Sequence, residues 1–203
     1  MENKAEIFRN AARFLGVRGA DALEELVPLL ERAYVELERY AAPKQMLRRF
    51  AARVENGALC VDTLPPVQSR DLCRLFADAK EGIALLVTLG GELDLRIKRL
   101  MLMEPALGAA LGACSSAAVD TWIDALLKGE RVELEARGLT LSPRFSPGYG
   151  DVGLEFQRPL LDWLEARRIG VRLTQGMLML PEKSVSALIA IKPMLREKIK
   201  SGV

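Results

Sequence analysis

The sequence predicts an α+β fold: a largely antiparallel, twisted sheet flanked by helices, preceded by a helical N-terminal part. Three observations carry this. Strand-like and helix-like stretches interleave without the strict strand–helix–strand order of a parallel sheet. The final four strand candidates lie close together in the chain, which favours hairpins over long crossovers. The run Ile83 to Leu89 is continuous, apolar and β-rich, the pattern of a central strand.

The elements follow in order. Ile7, Ala11, Phe14 and Leu15 fall at helical spacing, and Gly16 ends that helix. Asp21 and Glu24 have the spacing of a capping box. Leu26, Leu29, Leu30, Ala33 and Leu37 then form an apolar stripe, with Tyr34 and Tyr40 at its edge and Pro28 marking a kink or a fresh start. A third helix is expected over about 43–54. It bears Lys44, Arg48, Arg49 and Arg53, a basic face that is either solvated or docks an acidic partner.

Ala58 to Val61 reads as a short strand, and Pro65-Pro66 breaks the chain after it. Ser69 should cap a helix with Leu72, Leu75, Phe76 and Ala79 on its core face. After Ile83–Leu89, the pair Gly90-Gly91 suits either a cradle for an anion or, better, a tightly packed turn into a helix over 92–103, with Met101 and Met103 filling the core. Leu107 to Leu127 is a long helix. Its first half is nearly all Gly, Ala and Ser, so another element can approach closely, and its second half places Ser116, Asp120 and Asp124 on one face.

Val132 to Glu135 alternates and reads as an exposed strand; Arg137-Gly138 turns and Leu139–Leu141 follows. A helix over 154–166 comes next. Val171–Leu173 and Met177–Leu180 pair around Gln175-Gly176, Ser184 to Ile191 is the last strand, and Lys192 to Lys200 is a charged helical tail.

The chain of 203 residues is expected to form one domain, with 1–55 the helical part and 56–203 carrying the sheet. Lys and Arg number 29 against 27 Asp and Glu, a balance without the basic footprint of a nucleic-acid binder. Cys60, Cys73 and Cys114 are widely spaced, odd in number and set in apolar runs, as free thiols in a reducing compartment would be. No apolar run looks long enough to cross a membrane, and the opening residues do not look like a signal peptide, so a soluble cytoplasmic protein is expected. The sequence contains no histidine, which excludes a His-based catalytic triad and a His metal site. No Gly-x-Gly-x-x-Gly follows a strand, and no cysteine cluster suits zinc or an iron–sulfur centre, so no resident metal is expected.

The stretch of greatest chemical density is Arg144-Phe145-Ser146-Pro147-Gly148-Tyr149-Gly150-Asp151. Pro147 fixes its own φ, and Gly148 and Gly150 tolerate positive φ. Such a turn can carry Arg144 and Tyr149 toward a ligand, or it can be a plain surface turn.

Downstream come Ile169-Gly170-Val171-Arg172-Leu173-Thr174, then Met177 to Leu180, then Pro181-Glu182-Lys183-Ser184-Val185-Ser186-Ala187. This succession resembles the activation domain, the S-adenosylmethionine-binding part, of cobalamin-dependent methionine synthase, with its Arg-x-x-Pro-Gly-Tyr segment, Gly-(apolar)-x-Leu-Thr strand and Pro-x-x-Ser-Val-Ser segment. Ile83–Gly90 and Ser115–Asp124 look like the free-standing, single-domain branch of that family. The resemblance is specific over about 140–191, looser over about 58–128 and faint before.

The resemblance implies an activation-domain-like fold and two cofactors: S-adenosylmethionine on this chain and cobalamin on a partner protein. It implies reductive methylation of cob(II)alamin on a separate cobalamin-binding methionine synthase subunit or other corrinoid protein, with an electron donor such as a flavodoxin or reductase. No nucleic acid or membrane is implied as a partner. Arg144 would meet the ligand carboxylate. Phe145, Gly148 and Tyr149 would belong to the same ligand segment, Asp120 would face the ammonium or sulfonium, and Ser184 and Ser186 would hold the pocket or meet the ligand. The chain departs from the family at Gln175-Gly176 and at Ala187. The alternatives are a non-catalytic binding or assembly module, and a reactivator of another corrinoid-dependent methyltransferase.

Overall fold

A computed structural model describes residues 3–194. Its elements are α1 (Lys4–Phe14), α2 (Ala20–Tyr40), β1 (Lys44–Glu55), β2 (Ala58–Val61), β3 (Val67–Gln68), α3 (Arg70–Leu75), β4 (Glu81–Thr88), α4 (Gly91–Met103), α5 (Pro105–Glu135) and β5 (Leu139–Leu141). Then come a 3-10 turn (Leu154–Phe156), α6 (Gln157–Trp163), a second 3-10 turn (Ala166–Ile169), β6 (Arg172–Leu173), β7 (Met179–Leu180) and β8 (Ser184–Pro193).

Six strands form one sheet in the order β3-β2-β1-β4-β8-β5, with every pairing antiparallel. β6 and β7 form a separate hairpin. The α+β, antiparallel expectation therefore holds. β4 is the central strand, flanked by β1 and β8. Seven of its eight residues are buried, which explains its unbroken apolar run.

Strand alternation divides the interior in two. Ile83, Leu85 and Val87 of β4, with Ala187, Ile189 and Ile191 of β8, face α1, α2, α4 and α5. Ala84 and Leu86, with Leu188 and Ala190, face α3, α6 and the loops around them. The sheet is thus the middle of three layers.

Several sequence expectations are corrected. Residues 43–54 are not a helix but most of the 12-residue strand β1, paired with β2 on one side and β4 on the other. Its basic side chains are largely engaged: Arg48 lies 4.2 Å over the Trp163 ring and donates to the Trp163 carbonyl, and Arg49 pairs with Glu130 and Glu133. Val132 to Glu135 is not a strand but the end of α5, where Leu134 is fully buried. Met101 and Met103 do not fill the core; both are exposed. The spacing of Asp21 and Glu24 makes no cap, because the N-cap of α2 is Gly19 and Asp21 already lies in its first turn. α2 continues through Pro28 to Tyr40. The tail beyond residue 194 lies outside the described residues.

Other expectations hold. Ser69 caps α3 by accepting the Leu72 N–H at 2.9 Å. Gly90 has φ +89°, and a Cβ there would sit 3.2 Å from the Ala42 Cβ, so the turn is tightly packed. The small-residue half of α5 admits α4: a Cβ on Gly108 would lie 2.6 Å from the Met101 backbone nitrogen. Among the described residues, α5 is the one helix long and apolar enough to cross a bilayer, but here it packs against α1, α2 and α4, and most of that apolar stretch is buried. The three cysteines are free thiols.

Candidate functional site

Three segments converge on one cleft of about 600 Å³. The middle of α5 supplies Ser116, Val119 and Asp120; the segment after β5 supplies Arg144, Phe145, Ser146 and Tyr149; the turn into β8 supplies Glu182 to Val185.

Each segment is pinned from behind. The backbone of Phe145 exchanges two hydrogen bonds with Leu188 of β8, at 2.9 and 2.8 Å. The turn that follows closes on itself, with the Gly148 N–H donating to Val152 C=O at 3.0 Å while Gly148 adopts φ +89°. Its far end is held by Asp151, which accepts from the Ser69 hydroxyl and, at 2.7 Å, from the Arg70 N–H at the start of α3. The Ser69 hydroxyl and these N–H groups hold the Asp151 carboxyl below its ordinary pKa.

The turn before β8 is pinned by α4. Asp94 accepts the Glu182 N–H, and the Leu89 N–H donates to Lys183 C=O at 2.9 Å. Burial pushes the Asp94 carboxyl above its ordinary pKa, against the pull of the Glu182 N–H. Ser184 donates from Oγ within reach of Thr88 Oγ1 (2.8 Å) and Pro181 C=O (2.6 Å).

The charges of the cleft are arranged in pairs with one left over. Arg144 Nη2 donates to Asp120 Oδ1 at 3.1 Å. Glu182 pairs with Lys98 at 2.7 Å, on the outer side of α4. Lys183 donates from Nζ to Ser116 Oγ at 2.9 Å, and that hydroxyl in turn donates a hydrogen bond to Gly112 C=O at 3.1 Å. Burial holds the Lys183 ammonium below the ordinary lysine pKa, with Asp94 and Glu182 opposing.

Of the residues expected from sequence, Asp120, Arg144, Phe145, Tyr149 and Ser184 all line this cleft. Gly148 does not; it shapes the turn and rests on Leu154. Ser186 does not either. It is 2% exposed, and its hydroxyl has no hydrogen-bond partner among the described residues. Gln175-Gly176 sits between β6 and β7, away from the cleft lining. Lys183 and Glu182 were not expected from sequence. Their one signal is position, directly before the serine that opens the last strand.

No family model matches this sequence, and no curated protein does. A solved structure does. The MetH reactivation domain bound to AdoHcy matches 92% of this chain and 75% of its own, with a TM-score of 0.67 at 15% sequence identity. The fold is that of the MetH reactivation domain. At such identity the likeness to the MetH reactivation domain describes the course of the backbone, and the cleft's side chains stand on their own chemistry.

Proposed function

We propose that the cleft binds S-adenosylmethionine and that the chain presents its methyl group to cob(II)alamin held by a separate cobalamin-dependent methionine synthase. The observation that carries this reading is the joint presence of a fold shared with an AdoHcy-bound domain and a cleft of ligand size lined by the expected residues.

The lining suits such a ligand. Phe145 and Tyr149 offer faces for an adenine ring, and Val119 and Val185 offer apolar wall. Asp120, fixed by Arg144, presents a carboxylate to an ammonium or a sulfonium, and the cations supply the complement for a carboxylate. Tyr149 is 69% exposed, so it stands where a docked partner can also touch it.

The reaction takes one electron from a reductase and the methyl group from S-adenosylmethionine. The carbon–sulfur bond breaks, a carbon–cobalt bond forms, and the products are methylcobalamin and S-adenosylhomocysteine. This chain's part is to bind and to aim, which needs no side-chain base or nucleophile. A sequence without histidine is adequate for that.

The test is methylcobalamin formation on a corrinoid partner, given S-adenosylmethionine and a reductant, with and without this chain. A rate gain that requires the chain supports the reading. Binding of S-adenosylmethionine without any gain in rate would replace it with a non-catalytic binding module, and a gain only with a different corrinoid methyltransferase would move the partner.

A further inference from the structure

Four ionic side chains line the cleft: Asp120, Arg144, Glu182 and Lys183. Arg144 is committed to Asp120 and Glu182 to Lys98. Lys183 makes no ion pair among the described residues; its one protein acceptor is a neutral hydroxyl. An ammonium has three N–H donors, so two remain for a ligand. Asp94 and Glu182 offset the burial of this cation only in part, since neither makes an ion pair with it and its pKa stays below the ordinary lysine value; an arriving anion relieves the remaining cost.

The amine is also pre-set. Its backbone carbonyl accepts from Leu89, its neighbour Glu182 is tied to Asp94, and Ser116 holds its tip with a proton already directed to Gly112. Little side-chain freedom is left to lose on binding. Arg144, by contrast, would have to share or surrender Asp120 to take a ligand carboxylate.

We propose that Lys183, rather than Arg144, is the seat for the carboxylate of an amino-acid ligand in this cleft, and that it sets the preference for ligands that carry one. This rests on the reading of the cleft as an S-adenosylmethionine site. Arg144 is then a positioning residue, which holds Asp120.

Calorimetric titration of S-adenosylmethionine and of its decarboxylated analogue into the wild type, Lys183→Met and Arg144→Gln tests this. The wild type should prefer the carboxylated ligand by on the order of ten- to a hundredfold, the range of a charge-assisted contact. Lys183→Met, which keeps the apolar stem, should bind both ligands equally, and Arg144→Gln should keep the preference. Preference retained in Lys183→Met, or lost in Arg144→Gln, overturns the assignment while leaving the S-adenosylmethionine site intact. Failure of the wild type to bind either ligand overturns both. If Lys183→Met does not fold, acylation of Lys183 in the wild type decides. Saturating S-adenosylmethionine should protect the amine more than the saturating analogue does, and equal protection overturns the proposal.

Discussion

Arg144 and Asp120, 24 residues apart in sequence, meet at 3.1 Å and join the middle of α5 to the segment that crosses β8. Both side chains are part-exposed, so the pair contributes little to stability, within about 1 kcal/mol. Its effect is to fix where a carboxylate stands in the cleft.

Arg144→Ala should therefore leave the thermal midpoint almost unchanged and weaken S-adenosylmethionine about tenfold, as expected when a charge-assisted arrangement is lost. Thermal melts and calorimetry on the same preparation check it. A large drop in midpoint would assign the pair to folding instead.

Asp151 gives a pH-dependent prediction. Its carboxyl is held below its ordinary pKa by the Ser69 hydroxyl first and by the N–H groups of α3. A depressed folded-state pKa stabilises above the unfolded value, roughly 3.9, and that stabilisation fades as pH falls through the folded value. Asp151→Asn should thus melt below the wild type at pH 7, and the two should converge in acid. An unchanged gap at low pH would show that the carboxylate charge is not involved.

Two glycines on α5 should respond in opposite directions to alanine. A Cβ on Gly108 would press on the α4 backbone at Met101, so Gly108→Ala should cost roughly 1–3 kcal/mol. Gly112 has nothing within 4 Å, so Gly112→Ala should gain up to about 1 kcal/mol from helix propensity. Denaturant titrations measure both. Equal losses would refute the close contact between α4 and α5.

The cysteines should separate by reactivity. Burial pushes the Cys114 thiol up to about 12, whereas Cys60 and Cys73 are only partly buried. The thiolate is the reacting species, and a thiol at that value is only about one part in ten thousand thiolate at pH 8. Iodoacetamide should label Cys60 and Cys73 in the native protein and reach Cys114 only after unfolding. Native labelling of Cys114, read by peptide mass, would contradict its placement within α5.

Much of the fold is legible because burial leaves a mark on composition. β4 and β8 are buried on both faces and read as apolar runs, and α5 shows the small residues that its neighbours require. β1 is illegible for the opposite reason. Of its twelve residues only Phe50 is buried, and its Arg, Lys, Leu and Ala content suits a helix equally well. Only its two partner strands make it a strand. At 132–135 the alternation of apolar residues and Glu is a helix end, where Glu133, with Glu130 one turn earlier, reaches Arg49 on that same hidden strand.

The cleft was half legible. Arg144, Phe145 and Tyr149 share a local pattern, whereas Lys183 owes its place to Ser116, 67 residues away, and to Asp94, 88 residues from the Glu182 it holds. Contacts at such separation leave no spacing to read.

The division of the interior by the sheet has an evolutionary consequence. Even-numbered residues of the central strands pack into one layer and odd-numbered residues into the other. A substitution on one side meets a different set of neighbours from a substitution on the other, so the two layers can accumulate changes on separate schedules. The side facing α3 and α6 can diverge without disturbing Ser116 or Asp120, which ride on α5 across the sheet. The α5 wall of the cleft thus answers to one layer, whereas its Phe145 and Tyr149 wall, tied to α3 through Asp151 and Ser69, answers to the other, so a change in either layer reaches the cleft from one side only.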